Sequence, residues 1–92
     1  MTTYTETSQD YLGGIARTLV FENGTKMSVV KHNFSYGGPQ GLWEIAVINE
    51  EGDFITQDIW YDLDDDVMGY VTDLQLKKYI SDVADHDDDF DF

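Results

Sequence analysis

The dipeptide Asn23-Gly24 constrains the fold more than any other feature, because it strongly favours the tight turn of a β-hairpin. Residues 15–22 precede it and residues 25–34 follow it, and both segments are rich in strand-forming side chains. We therefore predict two antiparallel strands joined at this turn. A Gly- and Pro-containing stretch, residues 35–41, then predicts a longer connection.

A second hairpin is predicted around the turn at residues 50–53, between an apolar strand at 42–49 and a returning strand at 54–61. Two registers remain open. A three-residue loop pairs Asn49 with Asp53 and sets Glu44 opposite Asp58, whereas a two-residue loop removes that like-charge pair. In the three-residue register, Glu44 and Asp58 share an open sheet face with Leu42, Phe54 and Trp60, which is a plausible partner surface.

Helical signals follow the strands. The run Asp64-Asp65-Asp66 suits the first turn of a short helix that continues through Met68. Thr72 and Gln75 match a capping box, and an apolar face then recurs with helical spacing to about residue 85. That face consists of Leu76, Tyr79, Ile80 and Val83.

The predicted fold class is therefore α+β: an antiparallel sheet of about four strands in two hairpins, with C-terminal helical segments packed on one face. Residues 1–14 are polar and predict a flexible N-terminal arm. Residues 15–85 form the single predicted domain, and residues 86–92 a disordered acidic tail.

Charge is divided sharply between the two halves of the chain. Residues 1–43 hold three acids and three bases, whereas residues 44–92 hold sixteen acids against Lys77 and Lys78, giving a net charge of −14. Five bases in the whole chain argue against direct nucleic-acid binding, because phosphate contacts supply most of its non-specific affinity. A halophilic surface would be acidic throughout. The one-sided excess instead predicts a partner with a large positive surface.

Other functional classes find little support. The chain has no cysteine, no recognisable leader and no long apolar run, so we expect a cytoplasmic protein without disulfides or thiolate metal sites. No nucleophile elbow or phosphate-binding loop is present. We therefore expect neither an enzyme nor a cofactor.

One spacing suggests calcium. Asp62, Asp64, Asp66 and Asp73 occupy four ligand positions of a calcium-binding loop, but Val67 replaces the glycine that the turn requires. A divalent-cation-binding domain therefore remains only an alternative.

The C-terminal tail resembles a known peptide. Residues 85–92, Asp-His-Asp-Asp-Asp-Phe-Asp-Phe, are similar to the acidic tip of single-stranded-DNA-binding proteins, which docks into basic pockets. The acidic body excludes such a protein, and the resemblance implies only that the tail competes for similar pockets.

By type, the whole chain resembles the small acidic inhibitors that phages make against host nucleic-acid enzymes: anti-CRISPR, anti-restriction and DNA-mimic proteins. This resemblance implies a non-catalytic inhibitor that binds the basic surface of a host defence protein. An oligomerisation or scaffold module using the aromatic sheet face is the alternative, and a homodimer is possible. The predicted partner-binding residues are the acids and aromatics from residue 44 onward: Glu44, Glu50, Glu51, Asp53, Asp58, Trp60, Asp62, Asp64, Asp65, Asp66 and Tyr70.

Overall fold

The computed structural model describes residues 3–88, with side-chain surroundings given to residue 86. One antiparallel sheet of five strands runs in chain order, each strand pairing with the next. Its strands are β1 (Tyr4–Tyr11), β2 (Gly14–Phe21), β3 (Lys26–Lys31), β4 (Trp43–Ile48) and β5 (Met68–Val71). Two α-helices, α1 (Thr56–Ile59) and α2 (Asp73–Asp88), and a short 3-10 helix at Gly38–Gln40 complete the described part of the chain. The α+β class is confirmed, with five strands rather than four.

The strand beyond the predicted number is β1, which comes from the segment that we predicted as a flexible arm. β1 pairs with β2 along its whole length, from Tyr4 opposite Phe21 to Tyr11 opposite Gly14. Its eight residues are all exposed, so the strand carries no burial pattern that the sequence could reveal. The arm prediction is therefore wrong over β1, where backbone pairing takes the place of side-chain packing.

The two predicted hairpin loops have the same geometry. In the first, the Phe21 N–H donates to the Thr25 carbonyl at 2.8 Å, and Gly24 has a φ of 92°. In the second, the Asn49 N–H donates to the Asp53 carbonyl at 2.9 Å, and Gly52 also has a φ of 92°. Each loop thus has three residues ending in a left-handed glycine, as the three-residue register requires.

The chain does not return as a strand after this second loop. A single bridge, Ile48 to Phe54, is followed by α1, so the strand predicted at 54–61 is wrong. The Ile55 N–H still donates to the Val47 carbonyl at 2.8 Å. The Val47 N–H, however, donates to the Thr56 hydroxyl at 2.9 Å. A side chain thereby replaces the next ladder bond and lets the backbone turn into a helix.

The last strand lies where we predicted a helix. Residues 64–67 form an exposed to half-buried bend rather than a helical turn, and β5 begins at Met68. Trp43 pairs with Val71 and Ile45 with Met68, with a register shift between the two pairs. The short helix predicted through Met68 is therefore wrong, because backbone pairing with β4 determines this segment.

Helix α2 begins at the predicted capping box. The Gln75 N–H donates to the Thr72 hydroxyl at 3.1 Å, and the Thr72 N–H donates to the Gln75 side chain at 3.0 Å. The helix extends to Asp88, so the disordered tail predicted at 86–92 is wrong for residues 86–88, and 89–92 lie outside the described residues. No helix within residues 3–88 is long and apolar enough to cross a membrane.

The core lies between α2 and one face of the sheet. Paired residues share a face, so Leu19, Met27 and Val47 line up across three strands and are fully buried. The opposite face carries a mixture of small, β-branched and charged side chains, with Thr18, Ser28 and Ala46 in one row. The buried core consists of Leu19, Phe21, Met27, Val29, Trp43, Ile45, Val47, Val71, Leu76, Val83 and Ala84.

Candidate functional site

Carboxylates from three separate segments meet at one end of the molecule. Glu50, Glu51 and Asp58 line a shallow cavity of 310 Å³, and Asp58 also lines a second cavity of 330 Å³ with Asp82 and Asp85. The two cavities share Asp58 and His86, so they form one continuous surface. We call the surface formed by these five carboxylates, Glu50, Glu51, Asp58, Asp82 and Asp85, the acidic end.

Each residue of the acidic end lies either in the second hairpin loop or on a helix. Glu50 and Glu51 lie in the three-residue loop, where the Asn49 side chain also accepts the Asp53 N–H at 2.9 Å. Asp58 lies on α1, whose first residue is fixed to β4 through its buried hydroxyl. Asp82 and Asp85 lie three positions apart on α2 and therefore share one side of that helix.

The acidic end has little compensating positive charge. Lys78 pairs with Asp82 at 3.0 Å, and the same carboxylate accepts the indole N–H of Trp60 at 3.1 Å. Among the side chains that the structure describes, no other Lys or Arg forms an ion pair with an acid beyond residue 43. Four of the five carboxylates thus lack a lysine or arginine partner.

Two of the three bases of the neutral half, Arg17 and Lys31, contact other groups. Arg17 donates to both carboxylate oxygens of Glu6, at 2.8 and 3.1 Å. This pair lowers the pKa of Glu6, mainly through the hydrogen bond, and raises the pKa of Arg17 for the same reason. Lys31 lies 4.2 Å from the centre of the Trp43 ring, and the Trp43 indole donates to Asp73. Within residues 3–86, neither Arg17 nor Lys31 forms an ion pair with a carboxylate of the acidic end.

The remaining predicted acids do not line these two cavities. Asp53 is exposed beside the three-residue loop. Asp62, Asp64, Asp65 and Asp66 are exposed in the connection between α1 and β5. Within residues 3–86, no group of three acids or histidines is arranged to hold a metal ion. The calcium-loop spacing thus does not produce a cluster of ligands.

The aromatic residues are placed differently from our prediction. Trp60 is half-buried, and its ring packs edge-on against Tyr79 at 5.1 Å between centroids. Its neighbour Tyr61 is 88% exposed and lines the second cavity with Asp58. Tyr61, Asp82 and Asp85 are thus the members of this region that sequence reasoning missed. The helical spacing of Asp82 and Asp85 offered a signal, whereas nothing in the sequence marked Tyr61.

Two predicted residues lie away from the acidic end. Glu44 lies near the start of β4, and the six positions from it to Glu50 correspond to about 20 Å along a strand. Its carboxylate accepts the Tyr36 N–H at 2.9 Å. The Tyr70 N–H donates to the Tyr36 carbonyl at 3.1 Å, in a left-handed conformation. The predicted pairing of Glu44 with Asp58 is wrong, because Asp58 lies on α1.

Comparison with known proteins adds no family. No protein-family model, curated protein or solved structure matches this chain. The acidic end is therefore interpreted from its own geometry and charge.

Proposed function

We propose that this chain is a non-catalytic, DNA-mimicking inhibitor. Its acidic end would bind the basic, nucleic-acid-binding surface of a host defence protein, of the kind that anti-CRISPR or anti-restriction proteins block. One observation carries the proposal: five carboxylates from a loop and two helices surround two adjoining cavities, and only Asp82 has a lysine partner.

Carboxylates without a lysine or arginine partner are suited to take the place of phosphates at a basic surface. A protein that binds nucleic acid presents Lys and Arg side chains spaced to contact phosphates. Carboxylates accept the same charge-assisted hydrogen bonds from those groups. Because α2 and α1 hold Asp82, Asp85 and Asp58 on regular backbone, fewer backbone degrees of freedom are lost on binding than in a flexible acidic tail.

An exposed aromatic ring supports a protein partner rather than a diffuse counterion cloud. Tyr61 lines the second cavity beside Asp58 and is 88% exposed. Tyrosine is enriched among the residues that dominate binding energy at protein interfaces. We therefore assign Tyr61 an apolar contact with the partner.

The concentration of charge at the acidic end also favours oriented association. Five carboxylates gather around two adjoining cavities, so this end of the molecule carries a concentrated negative charge. The field of such a charge steers a protein toward a positive surface and raises the association rate, an effect that falls with ionic strength. The proposed binding is accordingly sensitive to salt.

The test is capture of partners from bacterial lysate by the tagged chain, with elution by duplex DNA and identification by mass spectrometry. We expect a nucleic-acid-binding protein that DNA displaces, and whose retention falls at about 0.5 M salt, where charges are strongly screened. The variant Glu51→Gln/Asp58→Asn should lose this partner. The matched control Asp10→Asn/Glu22→Gln removes the same charge from the neutral half and should retain it. Equal loss in both variants, or a partner that DNA cannot displace, would contradict the proposal.

The two alternatives have weaker structural support. The aromatic sheet face that was to serve a scaffold module does not form, because Phe54 and Trp60 lie outside the sheet. A divalent-ion domain would need clustered ligands, and residues 3–86 contain no such group. A marked rise in melting temperature with micromolar calcium would revive the second alternative.

A further inference from the structure

We propose that the chain forms a symmetric dimer through β1, with the β1 strands of two copies pairing antiparallel to make one continuous sheet of both molecules. The inference concerns the neutral edge of the sheet. It uses none of the residues of the acidic end and is independent of the proposed function.

The free edge of β1 is unusually open to pairing. β1 has eight residues, which makes it longer than a typical strand. All eight are exposed, and none of them is proline or lysine. Edge strands that avoid association are commonly short, bulged, or protected by lysine or proline. The other edge, β5, has four residues and an irregular register, so it is a poor alternative.

The backbone groups that point outward from β1 can be identified. The Phe21 N–H bonds to Thr25 on the β3 side of the first hairpin, so alternate residues of β2 from Phe21 backward bond toward β3. The remaining residues of β2 bond toward β1, where their partners are Thr5, Thr7, Gln9 and Tyr11. The N–H and C=O groups of Tyr4, Glu6, Ser8 and Asp10 therefore face solvent at the edge.

Symmetry and charge select one register. Two antiparallel copies must be related by an axis perpendicular to the sheet, so a residue pairs with one on the same face. Centring the axis on Thr7 pairs Glu6 with Ser8 and Tyr4 with Asp10 of the second copy. Shifting the axis by one residue to either side places Glu6 opposite Asp10 or opposite itself, and directly opposed like charges destabilise a sheet.

The Thr7-centred register also gives hydrogen-bond partners to the backbone groups at the edge of β1. Each of its four hydrogen-bonded pairs exchanges two bonds, so about eight hydrogen bonds form and every outward group of β1 is paired. The two Glu6 residues are then diagonal neighbours, with backbone positions about 7–8 Å apart. Each remains neutralised by its own Arg17, at 2.8 Å.

Net charge explains why a second copy suits this edge despite −14 on each chain. The first 43 residues, which include β1 to β3, carry equal numbers of acids and bases. Because the strands follow chain order, β4 and β5 of the acid-rich half lie toward the opposite edge from β1. Pairing through β1 therefore joins strands of the neutral half. Added salt should strengthen this dimer, since it screens the residual repulsion.

The first measurement is sedimentation velocity of the full chain from about 10 µM to about 500 µM, a range that covers weak association through a small interface. We expect a shift from the 10.5 kDa monomer toward twice that mass. In parallel, amide exchange should show protection of Glu6 and Ser8 that rises with concentration. Thr5 and Thr7, bonded to β2, should be protected at every concentration. A monomer throughout, or unchanged exchange at Glu6 and Ser8, would overturn the proposal.

Matched variants test the register. Thr7→Lys faces itself in the second copy and should weaken the dimer by about two- to fivefold, whereas Gln9→Lys faces Thr5 and should leave it nearly unchanged. Both add the same charge to exposed positions on the same face, so equal weakening by the two variants would refute the register. Ser8→Pro removes an outward N–H, leaves the bonds to β2, and should weaken the dimer on the order of tenfold or more. Far-UV circular dichroism at the lowest concentration checks that each variant folds.

Discussion

The hydroxyl of Thr56 lies at the point where the second hairpin becomes a helix, and removing it is the sharpest test of the fold. Thr56 is fully buried, and its hydroxyl accepts the Val47 N–H at 2.9 Å and lies 3.4 Å from the Val47 carbonyl. Val47 is also fully buried. Because the chain enters α1 here, the Thr56 hydroxyl, rather than a backbone carbonyl of a neighbouring strand, accepts the Val47 N–H. Thr56→Val conserves shape and leaves the Val47 N–H without its partner.

A buried donor without an acceptor costs about 1–3 kcal/mol, so the free energy of unfolding of Thr56→Val should fall by about that amount. In a domain of this size each kcal/mol lowers the melting temperature by roughly 4–8 °C, so the expected decrease is about 5–20 °C. Thermal denaturation followed by circular dichroism measures it. Thr56→Ser is the control, because it keeps the hydroxyl and loses one methyl, at a cost of about 1 kcal/mol. A Thr56→Val protein as stable as wild type, or more stable than Thr56→Ser, would refute the role of the hydroxyl.

Three further predictions concern separate parts of the fold. A Cβ at Gly14 would overlap the Lys31 carbonyl oxygen. Gly14→Ala should therefore lower the free energy of unfolding, measured by urea denaturation, by about 1–3 kcal/mol. An unchanged urea midpoint would contradict the sheet register. Thr72→Ala removes the acceptor for the Gln75 N–H and should cost about 0.5–2 kcal/mol, whereas retained stability would mean that the cap is not needed. The carboxyl of Glu6 should titrate below its ordinary pKa of 4.5, measured by NMR, and return toward it in Arg17→Met. Because the pKa of Glu6 is lower in the folded than in the unfolded protein, this pair stabilises the fold above pH 4.5, and its contribution is lost as the pH falls. A Glu6 pKa unaffected by Arg17→Met would show that the pair does not form.

The elements that could be predicted from sequence are those whose side-chain pattern and turn chemistry agree. β2, β3 and β4 each follow or precede a loop that ends in a left-handed glycine, and they bury alternate apolar residues. For α2, the cap at Thr72 and the apolar spacing gave the same answer. In these segments local preference and burial favour one structure.

The segments that were missed lack that agreement. β1 buries no side chain, so only its backbone pairing makes it a strand. Residues 54–61 contain aromatic and β-branched side chains typical of strands, yet the long-range bond from Val47 to Thr56 favours a helix. In β5, Tyr70 adopts a φ of 58°, which is uncommon for a residue with a side chain. Tertiary contacts determine all three segments, and a local pattern cannot show them.

The acidic end was predicted only in part for a similar reason. Glu50, Glu51 and Asp58 were predicted as acids of the second hairpin, in the acid-rich half of the chain. Asp82 and Asp85 join them only because α2 packs back across the sheet. Proximity that depends on helix packing cannot be inferred from charge counts along the chain.

The chain-order pairing of the strands bears on how the protein folds. Each strand pairs with its nearest neighbour in sequence, so the loops that close during folding between β1 and β3 are short. Short loops cost little entropy to close, and topologies rich in local contacts fold quickly. The neutral strands can therefore assemble hairpin by hairpin as the chain leaves the ribosome, before most of the self-repelling acidic segment has been synthesised. Compaction of that segment then begins on a sheet that is already largely built.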